Sequence, residues 1–189
     1  MRLVRSAIVQ SVALCAALCM SSCQTTVTTS DGTAPAPKPT DGPVTPAGTV
    51  PNAIAVTFAP KPADTNGNMF PDTLHITAYL FARPHPAPLF ADGAFHFSIY
   101  RMGESGTTER VGENPLRTWA FDADAVTGAR SVALVGPCYE FELSLLVGSG
   151  SDNLPVESVD LIAWFEPRAG GERVWLRGVR SVQFSKPQR

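Results

Sequence analysis

"CYEFELSLLVG", residues 138–148, sets Tyr139, Phe141, Leu143, Leu145 and Val147 on one side of an extended chain and Glu140, Glu142 and Ser144 on the other. Successive strand side chains point to opposite faces, so this alternation describes a strand with one dry face and one wet face. A single wet face is the habit of antiparallel sheets. The same pattern recurs outward in both directions. Upstream lie "AIAVTFA" (53–59), "TLHITAYLFA" (73–82), "GAFHFSIYR" (93–101), "PLRTWAFD" (115–122) and "RSVALVG" (130–136). Downstream, "ESVDLIAWFE" and "ERVWLRGVRSVQF" flank "PRAGG", whose paired glycines permit a hairpin turn. Only "DADAVTGA" (122–129) reads as helical, a short turn with Asp122 as N-cap.

Seven or eight short strands without helix-strand alternation specify an all-β fold, an antiparallel β-sandwich. Its size and loop layout resemble immunoglobulin-like or C2-like domains. The Cys…Trp…Cys spacing of a true immunoglobulin domain is not among its features. The expected organisation is a signal peptide over 1–22, a lipid-bearing cysteine with a disordered tether over 23–52, and the sandwich over 53–189.

The leader reads "MRLVRSAIVQSVALCAALCMSSC". Arg2 and Arg5 form a basic start, and the apolar region from Ser6 to Met20 holds fifteen residues. That is short of the roughly 20 needed to cross a bilayer as a helix, and fits an export signal. Met20, Ser21 and Ser22 before Cys23 resemble the lipobox of bacterial lipoproteins, with Met in place of the more usual Leu. The resemblance implies a diacylglycerol on the Cys23 thiol, cleavage before Cys23 and acylation of the new amino group. Membrane lipid is then a partner through Cys23. Gln24 stands where an aspartate would resemble an inner-membrane retention signal, so the outer membrane is the expected destination.

Gln24–Asn52 is rich in Thr, Pro, Gly and Ala and lacks large apolar side chains. It is read as a disordered tether, since it cannot bury enough surface to offset the entropy of ordering. Cys15 and Cys19 would leave with the signal and Cys23 would be acylated, so Cys138 has no partner for an internal disulfide. A lone cysteine of this kind reads as a small buried hydrophobe. Loss of Arg2 and Arg5 takes the formal net charge from −2 to −4. No basic patch or RNA-binding aromatic motif accompanies it, and no nucleic-acid partner is expected.

"DTNGNMFPD" (64–72) places Asp64, Asn66, Asn68 and Asp72 at positions 1, 3, 5 and 9. This spacing turns several oxygens toward one hard cation, and it resembles the acidic loops of thrombospondin type 3 repeats and, more distantly, the EF-hand. The resemblance implies side-chain oxygens from Asp64, Asn66 and Asn68, a backbone carbonyl from Phe70, and Asp72 as a direct or water-mediated ligand to calcium. It covers nine residues. Met69 stands where the EF-hand has glycine, and His75 where a glutamate closes the shell. With two carboxylates the affinity expected is weak, about 10⁻⁴ to 10⁻³ M. The alternative is a turn in which Asp and Asn bond their own backbone.

Other residues give less. His75 and His96 are read as outward positions on neighbouring strands, solvent-facing or at most a cross-strand metal pair. His85 sits in the proline-rich connector "RPHPAP". Trp119, Trp164 and Trp175 are read as core side chains, with a sugar-stacking platform or interface anchor as the alternative. Glu140 and Glu142 are solvating residues on one strand face. "GSGSDN" (148–153) is read as a flexible hairpin, and Asp152 nears a metal end only by C2 analogy. No nucleophile elbow, zinc-protease helix, phosphate loop or dinucleotide fingerprint occurs. The function expected is therefore a non-enzymatic binding or structural module on an exported lipoprotein, with an envelope protein or glycan as partner. The alternative is a tethered enzyme or inhibitor.

Overall fold

A computed structural model describes residues 43–106, 111–148 and 151–184. Cys23, the signal segment and the tether up to residue 42 lie outside the described residues. Two antiparallel sheets pack face to face as a β-sandwich. The first contains β1 (Ala53–Phe58), β2 (Thr73–Phe81), β7 (Gly136–Ser144) and β6 (Arg130–Ala133), in that order, with the two-residue β3 (Pro88–Leu89) on β2. The second runs β10 (Arg180–Gln183), β8 (Ser158–Pro167), β4 (Gly93–Arg101), β5 (Arg117–Phe121), with β9 (Val174–Trp175) on β8. Between β5 and β6 the chain changes sheets through the single turn of α1 (Ala123–Gly128), capped by the Asp122 carboxylate on the Ala125 N–H.

The alternation in the sequence becomes the core. Tyr139, Phe141 and Leu143 of β7 meet Phe95 and Phe97 of β4, and Phe165 of β8 packs on Phe95 with ring centroids 4.9 Å apart. Phe121 closes one flank against Phe141, 4.6 Å between centroids. Tyr139 keeps its hydroxyl satisfied inside this apolar layer. It donates to the Ala91 carbonyl (3.0 Å) and accepts from the Ala91 N–H (2.7 Å), tying β7 to the loop before β4. Burial raises the Tyr139 hydroxyl pKa, against the bonds from Ala91. Gly93 sits where a Cβ would collide with the Glu166 carbonyl and the Phe165 ring, so β4 and β8 approach only without a side chain there.

Three local departures from the alternation have physical causes. The last segment is two strands instead of one, broken at Gly178, whose φ of 73° is left-handed. In "RSVALVG", Leu134 and Val135 form the β6–β7 turn, with Ala133 opposite Gly136. The strand in residues 138–148 ends at Ser144: the Leu145 N–H still bonds the Asp72 carbonyl in register, but the Leu146 N–H turns back to the Ser144 hydroxyl and Val147 is exposed.

Residues 43–52, read as the end of the tether, lie against the sandwich. The Thr45 hydroxyl donates to the Ala87 carbonyl, the Asn52 N–H to the Phe81 carbonyl, and Pro51 is buried. Register then defines two poles. At one are this entering segment, the β3 loop, the Leu134–Val135 turn and the Pro167–Gly171 turn. At the other are the Asp64–Asp72 loop, the segment after Ser144 and the start of β8. Nine-residue strands separate them by about 30 Å.

Candidate functional site

The Asp64–Asp72 loop lies at the pole away from the entering chain, and its polar side chains turn inward on the loop itself. Asp64 accepts from the N–H groups of Gly67 (2.7 Å) and Met69 (2.6 Å). Asn66 and Asn68 accept from the N–H groups two residues on, Asn68 and Phe70 respectively. Asp72 is fully buried and accepts from the Thr65 N–H and hydroxyl, the Asn66 N–H and the Thr73 hydroxyl. Burial alone would raise the Asp72 carboxyl, but these hydrogen bonds outweigh it and hold the pKa below the usual carboxylate value.

A residue from elsewhere joins them. The side-chain amides of Asn66 and Asn68 both donate to Oδ2 of Asp152. Those two bonds are the main reason the Asp152 carboxyl is also held below its usual value. Thus the structure brings Asp64, Asn66, Asn68 and Asp72 into one loop and adds Asp152, which sequence spacing alone does not supply. The oxygens of both loop carboxylates face backbone N–H groups and hydroxyls, and the two amides present nitrogen, not oxygen, to Asp152. A cation here would have to displace those N–H groups and reverse both amides. This donor set fits the self-bonded turn better than the calcium shell. Among the described residues no group of three or more His, Cys, Asp or Glu side chains is placed to hold a metal. Met69, at the EF-hand glycine position, has a left-handed φ of 71°.

A second cluster lies on the outer face of the second sheet. β8 buries Val159, Leu161, Ala163 and Phe165 and turns Ile162, Trp164 and Glu166 the other way. Register places His96 of β4 beside Trp164, and Trp164 beside Trp175 of β9. The three rings form one row: His96 stacks on Trp164 at 4.9 Å and 5°, and Trp164 meets Trp175 at 4.9 Å and 34°. All three are half-buried. The core reading of these tryptophans therefore holds for Trp119 alone, which packs against the core and donates from Nε1 to the Ser144 carbonyl. The Trp164 Nε1 is buried without a partner.

Glu166 stands beside His96 at 3.7 Å and Arg173 at 3.8 Å. Burial lowers the His96 pKa, Glu166 opposes and Arg173 assists. The ring is accordingly held toward its neutral, stacking form. Trp175 also lines a groove of about 500 Å³ with Asn52, Glu172, Arg173 and Arg177.

His75 and His96 are not neighbours, because β2 and β4 belong to different sheets. A cross-strand pair is excluded by that topology. His75 lies beside Glu142 instead, at 3.6 Å on the exposed face of the first sheet. Cys138 is buried and unbridged in β7. His85 lies in the loop after β2, and its N–H donates to the Ala82 carbonyl. Alternation could have paired Trp164 with the outward residues of β8. What it lacked was the register joining β4, β8 and β9. Comparison with protein-family models, characterised proteins and solved structures returns no match for this chain.

Proposed function

We propose that the chain is an exported lipoprotein, held to the cell envelope through acylated Cys23, whose sandwich is a binding module that takes an acidic glycan on the Trp175–Trp164 row. The observation that carries the binding reading is this row of stacked, half-exposed rings continuing into a groove edged by Asn52, Glu172, Arg173 and Arg177. Faces within the row cover one another, but Trp175 ends the row and lines the groove, where its outer indole face can stack on the C–H face of a sugar ring while a few convergent polar groups fix orientation. Between residues 166 and 180 four arginines stand against two glutamates, in a chain whose overall charge is negative. That local excess suits a glycan bearing carboxylates.

Binding is favoured over catalysis because the groups that could serve as nucleophile and base stand apart: Cys138 is buried in β7, His75 is on the first sheet and His96 on the second. The test is co-sedimentation with purified peptidoglycan, with tryptophan quenching by its soluble fragments. Trp175→Ala and Arg173→Ala should each weaken binding at least tenfold while leaving the melting temperature within a few degrees. Equal binding by these variants, or none by the parent, sinks the glycan reading. Mass spectrometry of the membrane fraction tests the anchor separately, through an acylated peptide that starts at Cys23.

A further inference from the structure

The β6–β7 turn is built from residues that water disfavours. Leu134 and Val135 occupy the two connecting positions at ordinary negative φ, and Gly136 takes the positive one, 129°. Leu134 is completely exposed (104%), Val132 is 74% exposed and Val135 61%. Phe90 and the entering-chain residues Val44 and Val50 are exposed at the same pole, and Val135, Phe90 and residues 43–51 line one groove of about 860 Å³. A contiguous apolar surface of this kind marks a contact with a protein or a membrane.

We infer that the Leu134–Val135 tip seats in the lipid surface to which the chain is anchored. This rests on the Cys23 anchor proposed above. Where the chain enters selects the occupant. The described chain begins at Pro43 on the groove shared with Val135, and nineteen residues separate it from Cys23. The chain thus joins the sandwich at this pole and keeps it the nearer of the two to the bilayer, since nineteen tether residues span about 25 Å root-mean-square against about 30 Å between the poles. A short aliphatic tip beside acyl chains adds a second, reversible attachment to the first, as paired membrane signals do. Arg130, which bonds Asp92 at 2.6 Å and lies 5.2 Å over the Phe90 ring, braces the loop next to the tip.

The test places a polarity-sensitive nitrobenzoxadiazole label at Leu134→Cys and, as the distal comparison, at Glu157→Cys. Cys138 is buried and Cys23 acylated, so the new thiol is the one that reacts. The acylated chain is reconstituted into phosphatidylethanolamine–phosphatidylglycerol vesicles. A matching sample replaces residues 1–23 with a hexahistidine tag held by nickel-chelating lipid, so the tip is read even if natural acylation fails. The 134 label should shift to the blue and be quenched by spin-labelled lipid at least threefold more than the 157 label in both samples. Equal quenching overturns the inference while leaving the anchor intact. A blue shift that rises with protein concentration without lipid assigns the tip to a second copy of the chain and overturns it too.

Discussion

Asn68 donates its side-chain amide to Asp152, eighty-four positions further along the chain, and Asn66 reaches the same carboxylate oxygen. One acidic side chain thus holds two loops together at the pole opposite the chain's entry. Asp152→Ala should leave the fold intact and speed hydrogen exchange at the Gly67 and Met69 amides. Unchanged exchange would mean the loop holds itself without Asp152. Because the Asp152 carboxyl is held below its usual value, the link is present at neutral pH and is lost as pH falls through that lowered value.

The same loop separates a turn from a calcium site. With its carboxylates spent on backbone N–H groups, the melting temperature should be the same in millimolar calcium and in chelator. At about 1 mM calcium and the Kd of about 10⁻⁴ to 10⁻³ M expected of such a shell, binding would stabilise the native state by about 0.4–1.4 kcal/mol, a shift of one to several degrees that calorimetry resolves. Such a shift would restore Asp64, Asn66, Asn68 and Asp72 as ligands.

Asp72→Ala should cost about 2–3 kcal/mol in urea unfolding, since it removes a buried charged acceptor with four donors. Asp72→Asn should cost less, because the Thr65 and Thr73 hydroxyls can turn and accept from the new amide. The folded-state pKa lies below the usual aspartate value of 3.8, so the unfolded chain binds more protons in acid than the folded one. The Asp72 contribution is complete above about pH 4 and disappears as pH falls through the folded value. A urea midpoint as acid-sensitive in Asp72→Asn as in the parent would contradict this assignment.

Tyr139→Phe deletes one oxygen that serves both the N–H and the carbonyl of Ala91. Two backbone groups lose their partner, for a cost of about 1–3 kcal/mol with no change in overall fold. A variant as stable as the parent would show that water replaces the hydroxyl.

His96 supplies a pH dependence of its own. Its pKa is lowered from 6.5, first by burial, so the folded state resists protonation that the unfolded chain accepts. Stability from this residue is complete above about pH 6.5 and declines as pH falls through the lowered value. His96→Gln should flatten thermal stability between pH 7 and pH 5. A parent-like slope in that variant would place the effect elsewhere.

Much of the sandwich was legible because alternation is a short-range signal. Tyr139, Phe141 and Leu143 could face only one way once Glu140 and Glu142 faced the other. The helical turn at Asp122 was legible for the same reason, as a cap beside a short apolar repeat. Register is not local. Nothing in residues 174–175 announces that Trp175 lies beside Trp164 and, through it, His96, since that row exists only after β4, β8 and β9 pair. The loop was half legible: Asp64, Asn66 and Asn68 share it as their spacing requires. Whether their oxygens turn to a cation or to N–H groups depends on backbone angles, including the left-handed Met69, and on Asp152. The Leu134–Val135 tip read as strand because its residues favour strands, and closure of the hairpin overrode that preference.

β1 begins at the pole where the chain enters and runs away from it, paired with β2 over six residues and bridged from Ile54 to Leu176, just past β9. Tension arriving through Pro43 therefore pulls this strand lengthwise. Its ladder bonds are strained together, in the manner of a lap joint, and do not open one by one like a zipper. A pull along the line of entry thus meets all six residue pairs of β1 and β2 at once.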